Sequence, residues 1–316
     1  MIRRILVGLD GSALAETILG GVQALARRVG AEVVLLHVTH VPDGVSTAGS
    51  AVAVDEVVAQ EQSRARTYLD QVARRLAEGG LTVNTAVRAG QTGAEIVRYA
   101  ERERVDLIAL ATHGRSGIQR WLHGSVADAV LHTTTTPLLL LQPSSEGSAA
   151  PLGSGRVVVP LDGSPVAEAA LPLGEELARA LGVPMVLVRV VEVVGLVFAG
   201  DPLSGAYADY QAVLEVLQAG AERYLEGVAA DLRGKGLDVA TEVPIGLPVD
   251  SITFHAREHP GSLIVLSTHG RTGWRAMVLG SVARRVVLQA SGPVVVVPPR
   301  EARTQRTAAE ATPEVN

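Results

Sequence analysis

Residues 112–125, THGRSGIQRWLHGS, recur at 268–281 as THGRTGWRAMVLGS, an offset of 156 at which seven of fourteen positions are identical. The retained residues are Thr-His-Gly-Arg at the start, a glycine in the middle and Gly-Ser at the end, with bulky residues free to vary between them. Glycine lets backbone N–H groups approach a ligand with no Cβ in the way. A helix N-terminus offers an anion unpaired N–H groups and the positive end of the helix dipole. Gly114 and Gly124, with Gly270 and Gly280, therefore suit a phosphate cradled by backbone, to which Ser125 and Ser281 add a hydroxyl. His113 and His269 either reach that phosphate or order the loop. With no acidic partner at a fixed spacing, neither is assigned as a general base. Arg115 and Arg271 either contact phosphate or are solvated loop charges.

Composition excludes several other chemistries. Lys235 is the only lysine, so a P-loop of the form G-x-x-x-x-G-K-[ST] cannot be written anywhere in the chain. It sits in DLRGKGLDV, which reads as a surface turn. There are no cysteines, which removes disulfides, thiolate nucleophiles and Cys-ligated metals. His113, His123 and His132 lack the i, i+4 spacing of a helical zinc site, and His37 reads as a satisfied core residue. A net charge of −5 with scattered basic residues speaks against nucleic acid. Apolar runs such as Leu138–Leu141 and Val294–Val297 fall far short of the roughly 20 residues of a membrane span, and the stretch after Arg4 ends at Asp10, too soon for a signal peptide. A cytoplasmic protein with no membrane partner is expected.

The elements that must position these residues are also duplicated. ILVGLDGSALAE (5–16) matches VVVPLDGSPVAE (157–168) at an offset of 152, so about four extra residues lie between Val191 and Val243. In the first half, apolar runs at 4–9, 32–38, 82–88, 107–111 and 138–142 predict strands buried on both faces, and helical periodicity fills 12–29, 55–78, 92–104 and 124–132. The second half predicts strands at 156–161, 184–191, 238–243, 263–267 and 294–298, with Ser164 as an N-cap and Pro165 in the first helical position. The alternation is that of an α/β chain with two tandem, doubly wound, five-stranded Rossmann-like parallel sheets. The expected domains are 1–142 and 156–299, joined by a linker at 143–155 and followed by a disordered tail at 300–316. Ligands of such sheets bind at the carboxyl ends of the strands, where both Thr-His-Gly stretches fall.

Both halves resemble the universal stress protein family, whose nucleotide-binding members carry G-2x-G-9x-G-[ST]. Gly114, Gly124 and Ser125 match that motif, as do Gly270, Gly280 and Ser281, while its first glycine falls on Ala111 and Ser267. The resemblance covers about residues 2–142 and 156–299. It implies ATP as ligand, with Mg²⁺ or Mn²⁺ held mainly by the phosphates, and it extends the sites to Val126 and Val282, which follow the Gly-Ser pairs. It also implies that Asp10 and Asp162 meet the adenosine and that Val38 and Val190 border the adenine. On residue chemistry alone, Asp-Gly-Ser is equally good turn chemistry.

The implied function is a regulatory or stress-response protein with one adenine-nucleotide site per half and, at most, slow turnover. Two other readings stand beside it. An adenine-nucleotide hydrolase of related fold would carry Ser-Gly-Gly-x-Asp-Ser after its first strand, and LDGSALAE and LDGSPVAE lack the double glycine. A ligand-free interaction module would fit Ala111 and Ser267. Ser125-Val-Ala-Asp128 has the form of a capping box, with Arg284 in the matching place of the second half, which predicts that the second site holds a triphosphate at least as well as the first. The bare apolar fifth strands are edges that invite pairing, and the resemblance implies that the halves pair with one another as a pseudo-dimer; further homodimerisation is plausible. Residues 41–55 and 192–211 read as loop-like covers or partner-binding segments.

Overall fold

The computed structural model describes residues 1–39, 51–112, 125–142, 152–192, 206–267 and 280–298. The chain divides into two compact units, Met1–Leu152 and Gly153–Arg300. The first runs β1 (Arg4–Gly8), α1 (Ala13–Glu16), α2 (Ile18–Val29), β2 (Glu32–Thr39), α3 (Ala51–Glu78), β3 (Val83–Ala89), α4 (Thr92–Arg102), β4 (Leu107–Ala111), α5 (Ser125–Thr133) and β5 (Leu138–Leu141). The second repeats this with β6 (Val157–Pro160), α6 (Pro165–Glu168), α7 (Leu171–Leu181), β7 (Met185–Val188), α8 (Ala206–Gly234), β8 (Val239–Glu242), α9 (Pro248–Glu258), β9 (Leu263–Ser267), α10 (Ser281–Gln289) and β10 (Val294–Val297).

Within the first unit the strands lie in the order β3-β2-β1-β4-β5, and within the second β8-β7-β6-β9-β10. The pairings are parallel, with Val7 beside both Leu35 and Ala109. Ile5, Leu6 and Val7 are fully buried, as are Val157, Val158 and Val159. That follows from helices covering both faces of each sheet, and it is why the strands show no alternation of polar and apolar residues. In α2 the buried residues are Ile18, Leu19, Val22, Leu25 and Ala26, one helical stripe, and the helix stops at Gly30, whose φ of 68° suits the left-handed C-terminal position.

Several expectations change. The helix expected over 12–29 is divided at Thr17, where the Thr17 N–H turns to the Leu14 carbonyl in a tighter turn and the Thr17 hydroxyl donates to the same oxygen. Residues 51–55 and 206–211, read as parts of loop-like covers, belong to the first turns of α3 and α8. The remainder of both covers lies outside the described residues, as do 143–151 and the tail from 299. Residues 152–155, inside the stretch read as linker, are packed: Leu152 lies against Gly21, and the Gly153 N–H donates to the Gly261 carbonyl at 3.0 Å. Ser164 and Pro165 do open α6, with the Ser164 hydroxyl accepting from the Ala167 N–H. Lys235 lies in an exposed turn, its ammonium 2.8 Å from Glu175.

Candidate functional site

In each sheet the strand order reverses beside the first strand. β1 therefore has β2 on one side and β4 on the other, and the chain passes from β1 and from β4 to next strands that lie on opposite sides. The crevice so formed lies at the strands' carboxyl ends. Asp10 stands there, two residues beyond β1, followed by Gly11 with φ of 85°; Asp162 and Gly163, also at 85°, repeat the arrangement. This left-handed backbone is one that glycine adopts without strain. It folds the aspartate back on its own chain: Asp10 Oδ1 accepts from the Ser12 N–H at 2.9 Å and from the Ser12 hydroxyl at 2.6 Å, and Asp162 Oδ1 accepts from the Ser164 N–H at 2.9 Å. Burial pushes the Asp10 carboxyl up, but the Ser12 donors and the neighbouring His37 outweigh it and hold it below the ordinary carboxylate value. Asp10 is therefore a fixed acceptor and a weak base.

Ala111 ends β4 and Ser267 ends β9, both half-buried at the lip of the crevice. Thr112, buried behind Ala111, donates its N–H to the Leu141 carbonyl at 2.8 Å and ties the lip to β5. The Ser267 hydroxyl oxygen is buried and has no hydrogen-bond partner among the described residues. Such a group costs free energy unless something satisfies it.

Across the crevice, α5 begins at Ser125 and α10 at Ser281, both nine residues long, with Ser125 and Ser281 exposed and Val126 and Val282 beside them. Gly280 is the N-cap of α10 and makes no side-chain cap, so the first-turn N–H groups face outward unpaired by any side chain of the cap. The capping box expected at Ser125–Asp128 does not form as drawn. Ser125 is already the first helical residue, and Asp128 lies instead 3.6 Å from His132 one turn on. Arg284, exposed in the first turn of α10, leaves the second helix start without that carboxylate.

Val38 is half-buried near the end of β2, paired with Arg88 of β3. Val190 is half-buried two residues past β7, where pairing has lapsed before a single bridge from Val191 to Ile245. His113, Gly114, Arg115, Gly124, His269, Gly270 and Arg271 lie outside the described residues.

The structure also gathers residues that the motif does not contain. The Tyr68 hydroxyl of α3 donates to Glu16 at 3.1 Å, and Tyr224 of α8 donates to Glu168 at 2.8 Å. Burial, and then the carboxylate it faces, raises each phenol well above its ordinary value. Arg75 adds a second donor to Glu16 at 2.7 Å. His37 is not the satisfied core residue expected: it is half-buried, and its Nδ1 has no partner among the described residues. Burial lowers its pKa, against Asp10, the Leu9 carbonyl and Glu61, all of which favour the proton. Glu16 and Glu168 lie within the repeated segments, and Tyr68 and Tyr224 are 156 apart. Their recurrence at the repeat offset was a signal that could have found them.

Among the described residues, no cluster of His, Asp or Glu could hold a metal ion, and no helix is long and apolar enough to cross a membrane. The sequence model of the universal stress protein family matches residues 1–142 and again 153–298. A universal stress protein of Mycolicibacterium smegmatis is 26% identical over 306 residues, covering 94% of this chain and 97% of its own. One from Methanocaldococcus jannaschii is 30% identical over 142 residues, 44% of this chain and 82% of its own. Among solved structures, a universal stress protein from Archaeoglobus fulgidus superposes with a TM-score of 0.67 at 23% identity, covering 93% of this chain and 98% of its own. A similar one from Pseudomonas aeruginosa gives 0.65 at 16% identity, covering 98% of each. At these identities the likeness to the solved structures is one of fold.

Proposed function

The chain belongs to the universal stress protein family, and on that premise we propose that each unit binds one adenine nucleotide, ATP in the first instance, as a regulatory rather than a catalytic ligand. The observation that carries this reading is the twofold occurrence, at the carboxyl end of a parallel sheet, of an acceptor carboxylate in an Asp-Gly-Ser turn and a helix start with an exposed serine. The residues fit the group. Asp10 and Asp162 keep an oxygen for a ribose hydroxyl, and the N–H groups opening α5 and α10 suit phosphate oxygens. The unsatisfied Ser267 hydroxyl has a use at the lip of the second site. A divalent cation, Mg²⁺ or Mn²⁺, would be held through the phosphates and would neutralise part of their charge. Val38 and Val190 would border the base. Gly114, Gly124 and Gly270, with His113, Arg115, His269 and Arg271, would complete the phosphate loops.

Asp10 held below the usual carboxylate range is poorly suited to take a proton from an attacking water, which favours binding over hydrolysis. Calorimetric titration of the nucleotide-stripped chain with ATP and Mg²⁺ tests the reading. Two sites per chain are expected, and each should be lost separately on substituting Gly124 or Gly280 by valine. No heat of binding with ATP, and no nucleotide released from freshly purified protein, would overturn it in favour of a ligand-free interaction module.

A further inference from the structure

The second strand ends differently in the two units. The offset that relates Asp10 to Asp162 relates His37 to Arg189. In the first unit the His37 ring meets Tyr68 edge-on, with centroids 6.4 Å apart, and its lowered pKa keeps it neutral near pH 7. It brings no cation to the crevice, and the space around Gly11 is open, since a Cβ there would meet nothing within 4 Å.

Arg189 brings a permanent cation to the same place. Its guanidinium carbon lies 4.9 Å from the centroid of the Tyr224 ring. Its Nη1, Cζ and Nη2 lie 3.3, 3.4 and 3.5 Å from where a Cβ on Gly163 would stand. The group is thus held between an aromatic face and the Asp162–Gly163–Ser164 turn, at a closeness that a side chain at 163 would disturb. The carboxylates beside it accept from other donors, Asp162 Oδ1 from the Ser164 N–H and Glu168 from the Tyr224 hydroxyl. The Arg189 side chain has no ion pair or hydrogen bond among the described residues. A planar fork of N–H donors, stacked and half-buried, loses little freedom on meeting an acceptor and matches the oxygens of a phosphate. In dinucleotide-binding α/β sheets an arginine in the crevice accommodates a phosphate on the ribose.

We propose that Arg189 makes the second unit selective for an adenine nucleotide bearing a phosphate on the ribose 2′ or 3′ oxygen, a group to which the first unit presents His37 in place of the guanidinium. This rests on the nucleotide-binding reading above. The two units are then inequivalent sites: both accept a 5′ nucleotide such as ATP, and the second alone gains affinity when a phosphate stands on the sugar ring.

The test is calorimetric titration of the full chain with adenosine 2′-monophosphate, adenosine 3′-monophosphate, adenosine 5′-monophosphate and ATP, in the wild type, Arg189→Gln and Arg189→Lys. One of the first two ligands is expected to bind one site per chain at least tenfold tighter than the 5′ isomer, and the tighter of them identifies the oxygen. Arg189→Gln should abolish that ratio. Arg189→Lys, which keeps the charge and the aliphatic stem but not the fork, should leave an intermediate ratio and serves if the glutamine variant does not fold. If ATP binds but the 2′ and 3′ isomers bind no tighter than the 5′ isomer, the inference fails and the nucleotide reading stands. An equal loss for all ligands in Arg189→Gln, with the ratio kept, would make Arg189 a purely structural residue and also overturn the inference. If no nucleotide binds, ATP included, both fall.

Discussion

Gly93, in the first turn of α4, controls how closely α4 and α5 approach, and with it the place where α5 begins. A Cβ built on Gly93 would lie 2.7 Å from the Ala129 Cβ, with the backbone of Val126 and Ala129 behind it. Two methyl carbons are at ease about 3.5–4.0 Å apart, so Gly93→Ala forces α5 to retreat by roughly 1 Å. Overpacking of this kind costs about 1–3 kcal/mol, against a gain of at most about 1 kcal/mol from replacing a helical glycine by alanine. The net expectation is a loss of about 1 kcal/mol, opposite in sign to what helix propensity alone gives. Ala129→Gly removes the facing methyl, so the double variant should recover the packing and leave a coupling of about 1–2 kcal/mol between the two changes. Native-state hydrogen exchange of α4 and α5 peptides reads this locally, without assuming that the two units unfold together. The same shift displaces Ser125 and Val126, so ATP affinity should fall at the first site alone. The second unit carries Val249 and Arg285 at the matching places and does not share the close approach. Protection unchanged or raised in Gly93→Ala, or no recovery in the double variant, would refute the reasoning.

Two further outcomes are expected. His255 of α9 is 6% exposed and 3.1 Å from Glu242, and burial lowers its pKa from 6.5 despite the favourable carboxylate. Its contribution to stability is therefore present above pH 6.5, where the unfolded chain is also neutral at this ring, and is lost as the pH falls below it. A thermal-denaturation series should show the second unit weakening on acidification, with a shallower slope in His255→Asn. Ser12→Ala removes both the cap of α1 and the hydroxyl donor to Asp10, while the backbone N–H donor at 2.9 Å stays; it should cost about 1 kcal/mol and raise the Asp10 pKa in a carboxylate NMR titration. An unmoved Asp10 pKa would mean that the Ser12 hydroxyl is not what holds it down.

Much of the architecture is legible in local residue types. Runs such as ILV at 5–7 and LIAL at 107–110 have no polar alternation, which identifies strands covered on both faces. Ser164-Pro165 and Gly30 mark helix ends because their backbone preferences act over one or two residues. The Asp-Gly-Ser turns are legible for the same reason. The start of α3 at Ala51 was not, since its first turn, AVAV, has an apolar composition equally at home in a loop. Nor was the failure of the Ser125 capping box. It depends on which residue the helix takes as its first, and that lies outside the four-residue pattern.

The sequence by itself determined the duplication, the parallel α/β sheets and the small-residue frames that suit a phosphate, because periodicity, turn chemistry and repeat offset are properties of neighbouring residues. The tertiary structure alone decided what stands around those frames. Tyr68 reaches Glu16 and Tyr224 reaches Glu168 across separations of more than fifty residues. His37 keeps an unpaired buried nitrogen, and Arg189 lies between a ring and a glycine turn. These depend on how α3 and α8 settle on their sheets. That register is chosen by packing over the whole face, and no local pattern encodes it.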